Sequence, residues 1–457
     1  MDGAAWRRDR WLWGAIALGV VLRVIPLLLW DVGDCVRDEC IFRSRAAAIL
    51  DGEGLTTTDK GWLPAPGYPY LLALVKLVTT QFWPVKVGQA LLGGACIALV
   101  HRIGDRLGGR RVAITSAMLF ALHPTLIFFS GTLWVEPIYV FLLLAASEGM
   151  LRAREEGSPR AAILSGAAIG LAILFRGVAT YLPPIFALAA VWPERGERFA
   201  EGLRSRWRHA LAFGLAAVVT VAPWSIHASS RYGGFLVSDA TAGHVLFLGN
   251  NEFAPVTFDY GNGVLTSGVY SQHLRQGRRT CDRDVPPVRS NACEVAATVD
   301  WIRANPGEFV RRVPMRLAQL FNPNSFLTRH VRWGYWEGLP FVVKEGIAVL
   351  VVLTSALVMV GGTAAAWARA RGPYAVMAVG VVAYTCATIA VAYGMTRFRV
   401  PLEAMWLPYT ALLLADPRGV LRALGESPAR AAGLILTLPP LLALMAWYLP
   451  TGFPRFW

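Results

Sequence analysis

Residues 6–30 read WRRDRWLWGAIALGVVLRVIPLLLW. Arg7, Arg8 and Arg10 form a basic start, and the apolar run from Trp11 to Trp30 is long enough for one helix to cross a bilayer. No small-residue cleavage site follows, so the run is expected to remain as the first span, with its basic flank in the cytoplasm. The pattern continues along the chain. Further spans are expected at about 86–104, 112–130, 134–151, 161–175, 178–192, 210–229, 341–366, 373–393, 399–415 and 431–449, roughly eleven in all. The loops this assigns to the inner side, Arg152 to Arg160, Glu194 to His209, Arg369 to Arg371 and Asp416 to Arg430, each carry Arg. That agrees with the positive-inside rule and leaves the N-terminus inside and the C-terminus outside. Tyr68 to Val78 is too short to span and is expected as a juxtamembrane or re-entrant helix. Counting it as a span would put Arg102, Arg106, Arg110 and Arg111 outside.

Composition agrees with this reading. The 457 residues are 55% hydrophobic and 16% charged, with a mean hydropathy of +0.45, whereas soluble domains run at about 45–50% apolar and about 25% charged. A disordered scaffold, a collagen-like chain and a small disulfide-rich secreted domain are excluded. The formal charge of +14 comes almost wholly from Arg, since Lys60, Lys76, Lys86 and Lys344 are the only lysines. In a membrane chain this charge is first a matter of topology, and it implies no nucleic-acid partner. Arg is also the side chain whose planar fork suits phosphate.

The chain divides into an N-terminal transmembrane module (1–230) whose first outer loop covers 31–85, an extracytoplasmic loop domain (231–340), and C-terminal transmembrane helices (341–457). Within the large loop, Asn305-Pro306-Gly307-Glu308 predicts a capped helix start. The stretch that follows to Phe321, bearing Arg311, Arg312 and Arg316, is expected at the membrane surface. There is no internal repeat of the kind that builds two-halved transporters. Cys96 and Cys386 fall inside spans. Cys35, Cys40, Cys281 and Cys293 fall outside, where disulfides persist. Cys35–Cys40 and Cys281–Cys293 are the simplest pairings, with pairing between the two loops left open. No His or Cys pattern suits a metal.

Three outer-face features can carry chemistry. Asp38 and Glu39, with Asp34 nearby, stand at the start of an amphipathic helix in which Phe42, Ala46, Ile49 and Leu50 would form a membrane-facing stripe. A carboxylate at an apolar surface can accept a proton from a substrate hydroxyl; the plainer role is stabilisation of the helix N-terminus. Glu136 lies at the outer end of a span. Its plainer role is a headgroup-level residue beside an aromatic belt at Trp134. Arg397 and Arg399 sit in a short outer turn, against the positive-inside rule, and Arg176 is placed on the same face. Lipid-linked phosphate is a physical reason for Arg in such places; ordinary anionic headgroups are the plainer one.

Taken in order, these pieces resemble the bacterial polyprenyl-phosphate-sugar glycosyltransferases of the C-type membrane fold (GT-C). That superfamily includes protein O-mannosyltransferases, lipid A aminoarabinose transferases and lipopolysaccharide galacturonosyltransferases. The resemblance runs through Asp38-Glu39 with Phe42 and Ala46, Pro64-Ala65-Pro66-Gly67-Tyr68-Pro69, Glu136, Phe175-Arg176-Gly177, Pro223-Trp224, Gly243-His244 to Gly249-Asn250-Asn251, and Arg397-Phe398-Arg399-Val400-Pro401. Two departures stand out: Phe42 lacks the hydroxyl of the usual Tyr, and Cys35 and Cys40 bracket the acidic pair. The resemblance implies an all-α polytopic protein of the inner membrane. It would move a monosaccharide from a polyprenyl-phosphate donor to a hydroxyl of an envelope lipid, glycan or protein, on the periplasmic or exterior side. Asp38 is then the general base, and Glu39 or Asp34 orients base or acceptor. Glu136 is the second-loop acid, Arg397, Arg399 and Arg176 hold donor phosphate, and His244, Asn250 and Asn251 are loop contacts. Inversion at the anomeric carbon is expected. No cofactor is required; a divalent metal is compatible with the superfamily without being called for by these residues. A lipid or lipid-linked-sugar transporter predicts acids near mid-membrane instead, and a polysaccharide ligase would use a diphosphate-linked donor.

Overall fold

A computed structural model describes residues 9–29, 35, 38–55, 63–252, 281, 285–324, 326–332 and 338–447. In a bilayer every backbone N–H and C=O must be paired within the protein, and a helix does this within one segment. The described residues are accordingly helical, with one isolated β-bridge between Leu63 and Ala240. Each expected crossing falls on helical segments. Among the described residues, 6 helices could cross a membrane by length and composition alone: Arg10–Leu28, Trp83–Leu122, Phe199–Arg231, Phe341–Arg369, Gly372–Val391 and Pro428–Ala446.

The N-terminal half runs α1 (Arg10–Leu29), α2 (Asp38–Leu50), α3 (Gly67–Lys76), α4 (Trp83–Leu122), α5 (Pro124–Ser130) and α6 (Glu136–Glu156). Helix α4 folds back on itself. Gly109 has φ +74° and ψ −168°, a conformation essentially reserved for glycine. A Cβ on Gly104 would lie 3.1 Å from Ala113 Cα, whereas nine residues of straight helix rise about 13 Å. The two limbs are therefore the antiparallel spans expected at 86–104 and 112–130. Arg23, buried within α1, joins them. Its guanidinium donates to Phe120 O at 3.1 Å and Ala121 O at 3.3 Å, carbonyls that the end of the second limb leaves unpaired.

The chain continues through α7 (Pro159–Phe175), a 3-10 turn at Gly177–Tyr181, α8 (Pro183–Val191) and α9 (Phe199–Arg231). It then forms α10 (Ala242–Gly249), α11 (Pro287–Ala304), α12 (Pro306–Phe321) and α13 (Phe326–Arg332). Last come α14 (Phe341–Ala356), extended through a π segment into α15 (Gly362–Arg369), then α16 (Gly372–Val391), α17 (Val400–Ala415), α18 (Pro417–Gly425) and α19 (Pro428–Ala446). Helix α17 is the centre of the bundle. It is buried on all sides from Val400 to Leu412 and packs against α4, α6 and α15, as expected of a helix apolar all round.

Charge separates to the two ends. The loops expected inside meet in ion pairs: Asp9 with Arg110 at 3.1 Å, Arg102 with Glu148 at 2.6 Å, Arg106 with Glu155 at 2.7 Å, and Arg369 with Asp416 at 3.7 Å. The segments expected outside meet at the other end.

Two local expectations are corrected. The stripe on α2 turns partly inward: Ala46 is fully buried and Phe42 packs edge-on against Tyr68 of α3, while Leu50 stays 40% exposed. On α12, Pro306 does open the helix, but Asn305 makes no capping bond. Its amide donates instead to Trp301 O at 3.0 Å, because α11 ends one residue earlier and its last carbonyls also need donors. One face of α12 stays exposed at Val310 and Arg311 while the other is held in the bundle. Arg312 and Arg316 are buried, and Arg316 donates to Ala390 O at 2.8 Å and Gly249 O at 2.7 Å.

Gly109→Ala should lower stability by about 1–3 kcal/mol, while Gly14→Ala, which has open space around it, should not. Thermal unfolding of the two variants in detergent checks this.

Candidate functional site

At the end of the bundle opposite the basic loops lies a cavity of about 700 Å³. Its walls come from α2, the start of α6, the α7–α8 connection, the segment leading into α10, and the turn between α16 and α17. Asp38 and Arg397, on two of these pieces, lie 359 residues apart in sequence, and charge contacts join such distant pieces across the cavity.

The turn Thr396–Arg399 places its two arginines differently. Arg397 enters the cavity wall and donates from Nη1 to Asp38 Oδ2 at 2.6 Å. Its guanidinium lies 4.8 Å from the Trp134 ring and 5.3 Å from the Phe398 ring. The Asp38 carboxylate keeps 35% of its side chain exposed, and Arg397 Nε is buried without a hydrogen-bond partner among the described residues. Trp134 is thus a buried platform for a cation, not a belt residue in the headgroups.

Glu136 begins α6, where the helix dipole favours an anion. Its Oε1 accepts from Arg176 Nη1 at 3.2 Å, and its Oε2 is buried without a hydrogen-bond partner among the described residues. Arg176 lies 5.2 Å from the Tyr139 ring and 5.3 Å from the same Phe398 ring that Arg397 contacts. The cavity therefore holds two Arg–carboxylate pairs that share one aromatic ring.

The other expected site residues have different tasks. Arg399 turns away from the cavity. It is 1% exposed and donates to Glu403 at 2.8 Å, Leu320 O at 3.2 Å, Ser355 Oγ at 3.1 Å and also Asn322 O. With those donors engaged inside the bundle, Arg399 does not line the cavity, contrary to the expectation from its place in the turn. Glu39 is buried and accepts from Leu133 N at 2.5 Å, tying α2 to the loop before α6. His244 lines the cavity and sits 3.8 Å from Glu294 of α11. Asn250 and Asn251 are buried behind the wall; Asn250 Nδ2 donates to Val391 O at 2.8 Å and Asn251 Nδ2 to Phe247 O at 2.6 Å. Cys35 is bonded to Cys40 and Cys281 to Cys293. Asp34 lies outside the described residues. Among the described residues, no three His, Cys, Asp or Glu side chains gather at metal-binding spacing.

The sequence reading missed Asp239. Its carboxylate lines the cavity, lies against Gly177, and accepts from Thr241 Oγ1 at 3.1 Å. Burial pushes its pKa up to about 6. A signal was available: Asp239 is the only acid between Glu201 and Glu252, inside the segment on which the resemblance rests. Arg23 and Glu403, buried within spans, were missed as well.

Residues 64–227 match the family of dolichyl-phosphate-mannose-protein mannosyltransferases. The chain is 26% identical over 244 residues to the undecaprenyl phosphate-alpha-4-amino-4-deoxy-L-arabinose arabinosyl transferase of Pseudomonas aeruginosa (strain UCBPP-PA14), covering 49% of this chain and 41% of that protein. It is 30% identical over 146 residues to YycA of Bacillus subtilis (strain 168), a protein named for mannosyltransferase activity, covering 31% of this chain and 20% of that one. The chain therefore spans less than half the length of these curated relatives. Among solved structures it is similar to the oligosaccharyltransferase AglB of Archaeoglobus fulgidus in complex with an inhibitory peptide and a dolichol-phosphate, with 17% identity, a TM-score of 0.49, and 97% of this chain and 56% of that one covered. It is also similar to ArnT of Cupriavidus metallidurans bound to undecaprenyl phosphate, with 15% identity, a TM-score of 0.42, and coverages of 91% and 78%. The matched family and the two curated relatives are of the kinds that the sequence resembles.

Removing one partner of a buried ion pair costs about 3–5 kcal/mol, so Arg399→Ala should sharply lower the melting temperature while Arg397→Ala does so much less. Asp239 has the opposite effect. Its pKa is raised on folding, so it stabilises the fold less as pH rises through about 6. Asp239→Asn should therefore raise the melting temperature at pH 8 and leave it nearly unchanged at pH 4, which scanning fluorimetry at the two pH values tests.

Proposed function

We propose that the chain is a C-type membrane glycosyltransferase that moves a monosaccharide from a polyprenyl-phosphate donor to a hydroxyl of an envelope lipid, glycan or protein. The observation that carries this reading is the convergence of Asp38–Arg397 and Glu136–Arg176 on one cavity at one end of an apolar bundle. The family match over 64–227 and the two curated relatives support it. The protein would lie in the inner membrane with its N-terminus in the cytoplasm and this cavity on the periplasmic or exterior side. The 231–340 segment would shape the acceptor's surroundings.

In this mechanism the donor phosphate competes with Asp38 for Arg397. Arg397 has an unpartnered Nε, and a fork of donors suits phosphate oxygens. As Arg397 turns to the phosphate, the Asp38 oxygen it held is released beside the cavity. The acceptor oxygen attacks the anomeric carbon while its proton passes to Asp38. The bond from that carbon to the phosphate oxygen breaks with its electron pair, and polyprenyl phosphate leaves. A phosphate leaving group needs no proton, so one base suffices, and attack from the opposite face inverts the centre. Arg397 meets the growing negative charge in a partly dehydrated site, where such contacts count most. Glu39 positions α2 through Leu133, and Arg399 positions the turn that carries Arg397.

The test is mass spectrometry of envelope lipids and glycans with and without the gene, paired with transfer assays on purified protein. The expected result is loss of one monosaccharide increment and accumulation of the lipid-linked sugar. Asp38→Asn should cut transfer by about 10²–10⁴-fold, and Arg397→Ala should raise the donor KM. Wild-type transfer by Asp38→Asn removes the base assignment. Redistribution of a lipid between leaflets with no glycan change would favour a transporter.

A further inference from the structure

Among the described residues, three carboxylates line the cavity, and two of them have a guanidinium partner. Asp38 is tied to Arg397 and Glu136 to Arg176. Among the described residues, Asp239 faces no cation; its side chain meets the Thr241 hydroxyl and the backbone of Gly177. Both carboxylate oxygens stand where a Cβ on Gly177 would be, at 1.9 and 2.5 Å, so only glycine leaves room for them. The backbone around Asp239 is fixed on both sides. Ser238 Oγ donates to Ile173 O at 2.7 Å, Ser238 O accepts from Trp224 Nε1 at 2.7 Å, and Ala240 N donates to Leu63 O at 2.9 Å. A carboxylate held this firmly in a ligand-sized cavity, without a counter-charge, is built for a ligand that donates hydrogen bonds.

Its position narrows what that ligand is. Gly177 directly follows Arg176, and Asp239, Arg176 and Arg397 line one cavity, so Asp239 shares the space of the guanidinium groups that would hold phosphate without an ion pair to either. A second anion repels phosphate, and the isoprenoid side of a lipid-linked donor offers no hydrogen bonds. What remains attached to the phosphate is the sugar ring. We infer that Asp239 is the specificity residue for the donor sugar, accepting hydrogen bonds from ring hydroxyls and disfavouring a negatively charged ring. This rests on the polyprenyl-phosphate reading above and deepens it. The site selects neutral or positively charged monosaccharides over uronic acids. The raised pKa of Asp239, about 6, agrees with a carboxylate buried without a partner charge, and it leaves the group ionised at pH 8.

The experiment is a binding panel on the full chain in nanodiscs at pH 8. The probes are undecaprenyl phosphate alone and undecaprenyl phosphate carrying a neutral hexose, an amino sugar or a uronic acid. Wild-type protein should bind the neutral and amino-sugar lipids at least tenfold more tightly than the bare phosphate and the uronic acid lipid. Asp239→Asn, which keeps the side chain's shape, should lose that preference and admit the uronic acid lipid, with affinity for bare undecaprenyl phosphate unchanged. Arg397→Ala should weaken all four. If Asp239→Asn keeps the wild-type order of affinities, the inference is overturned, even where turnover falls. If wild-type protein binds none of the four lipids, the donor reading itself is overturned and this inference goes with it, a result plainly different from an unchanged order.

Discussion

A guanidinium that cannot reach water must be paired, and the end of the bundle that holds the cavity depends on how Arg399 is paired. Arg399 and Glu403 lie one helical turn apart on the central helix, both 1% exposed. Arg399 also holds the end of α12 through Leu320 O and Asn322 O, and α14 through Ser355. One side chain thus joins three elements at the start of α17. The turn before it has little freedom left, and Arg397 and Phe398 are aimed at the cavity. An exposed pair of this kind would contribute little, because water screens it. Inside the bundle it is costly to break, and that cost is what makes the turn rigid.

The same logic shapes the cavity. Arg397 and Arg176 are each neutralised by a carboxylate and share the face of Phe398. An empty cavity with two bare cations in an apolar wall would be unstable. Pairing them with acids makes the resting site stable and still leaves an anionic ligand something to exchange with. Asp239 is the exception that this arrangement does not stabilise, and a destabilising group kept in a functional cavity is a familiar mark of a site residue.

Neutral hydrogen bonds hold the scaffold around these charges. Tyr68 donates to Gln89 at 3.0 Å, and Gln89 in turn donates to Thr132 O at 2.7 Å and Ser130 O at 3.1 Å. That chain links the Pro-rich approach, the first limb of α4 and the loop in front of Glu136. The Leu63–Ala240 bridge links the approach to the segment bearing Asp239. Both sides of the cavity are therefore tied to the same short stretch after α2.

The sequence by itself determined the apolar runs, their helical state and the separation of Arg-rich loops from acidic ones. These follow from local composition and from the bilayer's demand for internally paired backbone. It also pointed to Asp38, Glu136, Arg176 and Arg397, because ionisable residues at the ends of apolar runs are costly and need a reason. Tertiary structure alone decided which of two neighbouring arginines faces the cavity. Arg397 and Arg399 look alike in sequence, and it is Glu403, Ser355 and the carbonyls of Leu320 and Asn322, the last two nearly eighty residues away, that turn Arg399 inward. Asp239 was hidden for a similar reason. Its isolation from other acids is visible in the sequence, but its place in the cavity against Gly177 exists only once the chain has folded.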